Sequence, residues 1–479
     1  MNRAVTTAAP AWAVPGFLEN RGGRLWMVGL DMAALAEERG TPLYVYSAAR
    51  IAERAAGLKA ALGAIDARTR ICFAAKALSA IKVLRLIREA GLSIEVNSGG
   101  ELYRAKRAGF PAEAIVFNGV AKSEAELAEA LDPPIKAINI DSLYELERLA
   151  AVARRLGKRA RLALRIVPEV KSATSPGNQT GSAETKFGIL PGEIDAALAF
   201  LQANADCLDP VGLHVHVGSQ ITDSAPYLAA AEAIVRHFAH AEAVLGRPLE
   251  HVNLGGGFPL PYMHGASATP QGGLFAPEIC ATEIARALLP ALRRKLRPEV
   301  EVILEPGRAM VGDCALLLAR VENVKQRADG PWLYLDAGYN VLVESYTYKW
   351  YYHALSPTKL DEAEAEFRLV GPLCDNGDAF FDVEGEHLFA RLAGDPRLAA
   401  GRDQLAAALV RLPPMRRLAA STGPGDLVAF LDTGAYTLDQ MTPNNGRPRP
   451  VVGLIDGSGR YEILRRRDSY ADLLFNEAV

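Results

Sequence analysis

Cysteine is scarce in this sequence: Cys72, Cys207, Cys280, Cys314 and Cys374 are the five among 479 residues. They are odd in number and widely spaced, which argues against a disulfide framework or a zinc set and leads us to expect free thiols in a reducing cytoplasm. Long apolar runs are missing too, none approaching the roughly twenty residues that cross a bilayer. Met1–Pro10 has no apolar core, so no secretory signal is expected. Neither sign of charge is in excess: 53 Lys and Arg against 56 Asp and Glu leave −3. Such a balance supplies no basic face for nucleic acid or an anionic membrane. Nucleotide fingerprints are absent as well, since no Gly-x-Gly-x-x-Gly opens an early helix and no Gly-Lys-Ser/Thr occurs. What remains is ordinary globular composition, 49% hydrophobic and 23% charged, in a chain long enough for two domains.

From about residue 46 to Met310 short apolar strands alternate with amphipathic helices. The strands expected are Ile71–Ala75, Ser93–Asn97, Ala114–Asn118, Ala137–Asp141, Ala160–Val167, Gly212–Val217, His251–Leu254 and Glu301–Leu304. Helices such as Glu124–Leu131, Leu143–Leu156, Pro191–Asn204 and Ala225–Leu245 lie between them. Repeated βα units of this number predict a (β/α)8 barrel over 46–310. A doubly wound sheet is the rival, disfavoured because motifs follow many strands instead of one switch point. After Met310 strands expected at Cys314–Lys325, Trp332–Asp336, Glu366–Val370, Ala379–Val383, Asp426–Leu431 and Pro450–Asp456 predict a mostly β domain, 311–479. Residues 384–424, rich in Ala, Leu and Arg, read as a helical insertion, and 1–45 as an N-terminal segment joining the β domain. The small polar loop Lys171–Ser182 is expected to be mobile and to cover a site.

Five motifs carry chemistry. Cys72-Phe-Ala-Ala-Lys76 ends a buried strand on a lysine, at the barrel end where active sites are built. In apolar surroundings such a lysine serves as nucleophile or Schiff-base former; by itself it could be a surface residue. His214-Val-His216-Val-Gly-Ser219 places both imidazoles on one strand face. No carboxylate or thiol at ligand spacing supports a metal there, so stacking of an imidazole on an aromatic cofactor is preferred, with a satisfied core histidine as the plain reading of His214. Gly255-Gly256-Gly257 after a strand lets backbone N–H groups approach a phosphate, or is a tight turn. Glu305-Pro-Gly307-Arg308 sets a carboxylate fit to pair with a heteroaromatic N–H beside a planar guanidinium fork, or is a strand cap. Cys374-Asp375 on a glycine turn reads as a thiol able to deliver a proton, or as a buried small hydrophobe.

Ala75-Lys-Ala, Ser98-Gly-Gly-Glu101, the His214–Gln220 run, Gly255-Gly-Gly-Phe, Glu305-Pro-Gly-Arg, Cys374-Asp-Asn-Gly-Asp and Gly434-Ala-Tyr436 with Asn445-Gly-Arg-Pro-Arg-Pro follow one another in this order. As an ordered set they resemble the fold-type III pyridoxal-phosphate decarboxylases, most of all the diaminopimelate decarboxylase group, from about Thr41 to Leu474. The resemblance implies an alanine-racemase-like pairing of barrel and β domain, with pyridoxal 5′-phosphate as cofactor. It implies that Lys76 bears the cofactor and that His216 stacks on its ring. Ser219, Gly255, Gly256, Gly257, Gly307, Arg308 and Tyr436 would hold the phosphate or the substrate carboxylate, with Glu305 on the pyridine nitrogen. Cys374 would deliver the proton and Asp375 touch substrate, both from the second subunit of a head-to-tail homodimer.

One departure stands out. Where the group carries an arginine for the distal carboxylate, followed by a tyrosine, this chain has Glu344 and then Tyr348. A carboxylate at that place repels a distal carboxylate and favours a cation, unless Glu344 faces solvent. The reading is therefore a cytoplasmic amino-acid α-decarboxylase with an altered distal pocket, acting on diaminopimelate, on ornithine or lysine, or on a specialised-pathway amino acid. A racemase on the same barrel is disfavoured by Glu305, because racemases place an arginine there. An inactive regulatory homologue is disfavoured because Lys76, Glu305 and Cys374 occur together.

Overall fold

The computed structural model describes residues 10–170, 179–265 and 272–478, so most of the predicted loop Lys171–Ser182 lies outside the described residues. The chain divides into two compact units, one of 51–260 with 277–312, the other of 1–50, 261–276 and 313–479.

The first unit is a closed barrel of eight parallel strands. These are β1 (Thr69–Ala74), β2 (Ser93–Val96), β3 (Ile115–Phe117), β4 (Ala137–Ile140), β5 (Ala160–Arg165), β6 (Leu208–His214), β7 (His251–Asn253) and β8 (Glu301–Leu304). Each pairs with its neighbour in sequence, and β8 closes on β1 through Val302–Thr69 and Leu304–Ile71. Every residue of β2, β3 and β4 is buried, as short apolar strands covered on both faces require. Cys72, Val116 and Ile303 from three strands meet inside. The intervening helices begin and end where side chains dictate. Ser98 and Ser142 accept the backbone N–H of Glu101 and Glu145, and Gly109 and Gly157 close the same two helices in left-handed geometry.

The second unit is built on a nine-stranded sheet. Its long strand Ala315–Arg327 runs antiparallel to Leu43–Ser47, which in turn lies parallel to Val451–Ile455. A small three-stranded sheet, Leu18–Arg21, Arg24–Met27 and Leu30–Asp31, leads into a helix capped by Asp31. The core joins Met27, Leu35, Val45, Leu318, Ala429 and Ile455.

Four details differ from the expectations above. Strand β6 stops at His214, so His216 follows the strand instead of sharing its face. Ala379–Val383 is not a strand, because Asp382 accepts the N–H of Gly385 and starts a helix, Val383–Ala393. The 384–424 insertion is helical only in part. Helix Arg402–Leu409 is followed by a strand, Arg416–Ala419, antiparallel to Glu364–Phe367. Arg416 anchors it, buried with its guanidinium donating to Phe380 O and lying 4.7 Å from the Tyr351 ring centre. Finally, the barrel is not continuous in sequence. Tyr262 and Phe275 in the 261–276 excursion pack edge-on against Trp350, at 5.2 and 5.3 Å. Among the described residues no helix is long and apolar enough to cross a membrane.

Candidate active site

In the barrel unit the chemistry-bearing residues gather at the C-terminal ends of the strands. Lys76 sits half-buried in a single helical turn, Ala75–Ala77, directly after β1. That turn is tied to the Glu305–Arg308 loop, since Ala74 N donates to Pro306 O at 3.1 Å. A β-carbon on Gly307 would press on Ala77 and Ala74, so the two segments touch only because residue 307 has no side chain.

Glu305 is buried and accepts two amide hydrogen bonds, from Asn253 at 2.6 Å and from Asn118 at 3.0 Å. His214 Nε2 lies 3.6 Å from it. Burial pushes the Glu305 carboxyl up, opposed by the Asn253 donor and the Lys76 charge. His214 is fully enclosed and neither ring nitrogen has a hydrogen-bond partner; burial, then Arg165 and Lys76, drive it well below the usual range, so it is neutral. His216 is neutral for the same reason, and its Nδ1 accepts the Gly256 N–H at 3.2 Å, which fixes the plane of the ring.

The glycine turn works differently from the sequence expectation. Gly255 N donates to Asn253 Oδ1 at 2.9 Å and Gly256 N to His216, so two of its donors are engaged inside the barrel. Its glycines instead permit close packing. A β-carbon at 256 would collide with Glu305 O, and one at 257, where φ is +96°, with Gly218 O. Ser219 and Arg308 stand together as further donors, with Arg308 Nε donating to Ser219 Oγ at 3.4 Å.

These residues fit pyridoxal 5′-phosphate. Glu305 is a buried acceptor held by two amides, His216 a neutral flat imidazole held by a backbone donor, Lys76 an amine at the strand end, and Ser219 with Arg308 an anion-receiving pair. A metal is a poor alternative: among the described residues no three His, Cys, Asp or Glu are grouped to bind one.

The second unit holds the remaining candidates. Cys374 and Asp375 are exposed on one turn. The turn is stiffened by Asn445 and Asp378 of the quoted motifs together with Tyr339 and Asn444, which no motif singled out. Cys374 N donates to Asn445 Oδ1 at 2.7 Å, and Tyr339 OH donates to Asp375 Oδ2 at 2.8 Å while accepting from Asn444 at 2.9 Å. Buried Asp378 accepts from the backbone of both Tyr339 and Leu373 at 2.8 Å. The Gly377 N–H and the Tyr339 hydroxyl hold Asp375 below the usual carboxylate range, so it is an anion. Burial and that anion push Tyr339 up to about 12.

Glu344 lies on the short helix Val343–Thr347 and is 2% exposed, which rules out the solvent-facing alternative. Tyr352 OH donates to it at 3.5 Å, and Tyr348 caps the helix by donating its N–H to Glu344 O. Tyr436 follows Asp432 in a tight loop where both have positive φ, 56° and 59°. Asp432 is gripped by His264 Nε2 at 2.6 Å. Burial opposes a charge on His264, but the Asp432 hydrogen bond and charge override it and hold the imidazole above its ordinary range. A raised imidazole stabilises the fold fully below the ordinary histidine range and ceases to as pH climbs through the raised value. We therefore expect His264→Asn to lower the urea midpoint at about pH 6 and to cost progressively less as pH rises. A difference independent of pH would show the pair to be uncharged.

The pyridoxal-binding domain of the pyridoxal-dependent decarboxylases matches residues 48–312. Over the whole length, the chain is 32% identical to a diaminopimelate decarboxylase of Aquifex aeolicus, covering 95% of this chain and 96% of that one. It is 33% identical to one of Neisseria meningitidis serogroup B, at 92% and 94% coverage. A solved diaminopimelate decarboxylase of M. jannaschii superimposes with a TM-score of 0.80 at 28% identity, covering 96% and 98%.

Proposed function

The chain belongs to the pyridoxal-dependent decarboxylases, and we propose that within them it removes the α-carboxyl group of a diamino acid whose far end is an amine instead of a carboxylate. It is a carboxy-lyase working with pyridoxal 5′-phosphate. The observation that carries the substrate reading is that Glu344, which by the resemblance stands where the family has its distal-carboxylate arginine, is buried. A buried carboxylate there disfavours a second carboxylate and rewards a cation. A second reading, diaminopimelate itself, is favoured by the names of relatives that match along the full chain.

When bound, the cofactor supplies the electron sink for the pair left behind as CO2 departs. The residues of the chain do the rest. Lys76 would offer the amine that holds the cofactor, Glu305 would accept from its ring nitrogen, and His216 would supply the imidazole beside its ring. Ser219, Gly257 as the member of the glycine turn whose N–H is not engaged by Asn253 or His216, Arg308 and, by the resemblance, Tyr436 would receive the phosphate and the α-carboxylate, so that the bond to be broken is aligned. Cys374 hands a proton to the substrate's α-carbon, with Asp375 and Tyr348 positioning the substrate. We place the enzyme in the cytoplasm as a homodimer, each copy lending Cys374 and Asp375 to the other.

CO2 release from meso-diaminopimelate and from both enantiomers of ornithine and lysine tests the substrate reading. A distal-amine substrate is expected to exceed diaminopimelate by about a hundredfold in kcat/KM, the effect of one close charge pair. Diaminopimelate as the best substrate would overturn it. Cys374→Ala is expected to retain the cofactor's visible band while kcat falls about a hundredfold; an unchanged kcat would remove Cys374 from proton delivery.

A further inference from the structure

Glu95 is a buried carboxylate on a barrel strand that the reaction above does not use. It lies in the middle of β2, a strand with no exposed residue, and is itself 0% exposed. A charged side chain in such a place is costly unless it is paired or neutral. Its Oε1 accepts from Asn118 Nδ2 at 2.7 Å, and its Oε2 has no hydrogen-bond partner.

The same Asn118 nitrogen also donates to Glu305 Oε2, at 3.0 Å. One amide therefore bridges two buried carboxyl groups. Its orientation is fixed from the other side, because Asn118 Oδ1 accepts from Asn139. Glu305 has a second donor in Asn253, whose orientation is set by Gly255 N on its oxygen. The two carboxyl groups are thus unequal: Glu305 receives two short, oriented donors, whereas Glu95 receives one from Asn118 and only a weaker contribution from Asn97. With both ionised, two like charges would lie within about 6 Å of each other in a site closed to water. With a single proton, the better-solvated anion is the one with more donors, and the proton goes to the other.

We propose that Glu95 and Glu305 hold one proton between them and that Glu95 carries it, so that Glu305 stands anionic toward the pyridine nitrogen. This rests on the assignment of Glu305 to that nitrogen and not on which amino acid is the substrate. Glu95 is then a positioning residue acting through Glu305. Burial, opposed by the Lys76 charge and reinforced by that of Glu305, brings Glu95 up to about 7, in keeping with a proton held near neutrality. The other groups facing the pair are few. Lys76 stands after β1 and Glu101 on the helix after β2; Arg165 ends β5, and neutral His214 ends β6. Glu101 is partly buried and also up at about 7, so an experiment must separate it from Glu95.

Infrared spectroscopy of the full-length protein carrying 13C-carboxyl glutamate does so, before and after loading with pyridoxal 5′-phosphate. A protonated glutamate band is expected near neutral pH, lost in Glu95→Gln and retained in Glu101→Gln. It should persist when the cofactor binds, because the proton is not on Glu305. In Glu95→Gln the cofactor's pyridine-protonated absorption should be lost at a lower pH than in the wild type, by about one pH unit, since no Glu95 anion then forms on raising the pH to help hold the ring proton. A band that survives Glu95→Gln, or one that vanishes on loading, would overturn the proposal. Should Glu95→Gln fail to fold, the wild-type loading experiment with the Glu101→Gln control still decides it. No substrate is added at any stage, so the outcome is separate from that of the substrate panel.

Discussion

Lys76→Ala is expected to leave the protein without the visible band of bound pyridoxal 5′-phosphate and to lower kcat by about ten-thousandfold, the scale on which removal of a covalent catalytic group is felt. The size follows from position. Lys76 stands in the Ala75–Ala77 turn at the end of β1, locked to the Glu305–Arg308 loop by the Ala74–Pro306 hydrogen bond. Among the described residues Lys76 is the lysine whose charge acts on Glu305, so no described neighbour takes over. The fold should survive, because the residue is half-buried on a turn flanked by alanines and lends no apolar surface to the core. An unchanged denaturation midpoint with loss of the band is the expected pair of results. A retained band that resists dialysis would mean that another amine bears the cofactor.

Glu305→Gln carries the second large effect, a fall in kcat of about a thousandfold, comparable to deleting one preorganised charge partner of the reacting system. In the proposed site the buried Glu305 carboxylate keeps the pyridine nitrogen protonated, and an amide cannot substitute as an anion. There is a structural cost as well. Asn253 and Asn118 both point N–H donors at this side chain, with orientations fixed by Gly255 N and Asn139. Glutamine satisfies one with its oxygen and sets its own NH2 against the other, a conflict worth about 1–2 kcal/mol. Cofactor absorbance and urea unfolding read the two effects separately. Wild-type kcat in Glu305→Gln would take Glu305 off the ring nitrogen.

Much of this site was legible along the chain. The alternation of short apolar strands with amphipathic helices is a local property, and β2, β3 and β4 appear within a residue or two of the expected limits. Lys76, Glu305 and Arg308 stand at strand ends because the strands stop where their apolar runs stop. Glu95 had a signal that went unused: a lone acid inside the apolar run Ser93-Ile-Glu-Val. Tyr339 had none, because its value lies in holding a turn more than thirty residues away; Asp378 stood inside the Cys374-Asp-Asn-Gly-Asp motif, but its grip on backbone donors is something no pattern reveals.

The ordered motifs and the strand–helix period determined the family, the barrel and the cofactor, because each depends on residues close together in sequence. Tertiary structure decided the rest. It alone showed that Glu344 is buried, that 261–276 leaves the barrel for the aromatic cluster at Trp350, and that 416–419 is a strand. It alone joined Glu95 to Glu305 through Asn118. The physical reason is common to all four: burial, aromatic packing and the sharing of one donor by two acids are set by side chains that the chain brings together from distant segments, and a local sequence period carries no record of them.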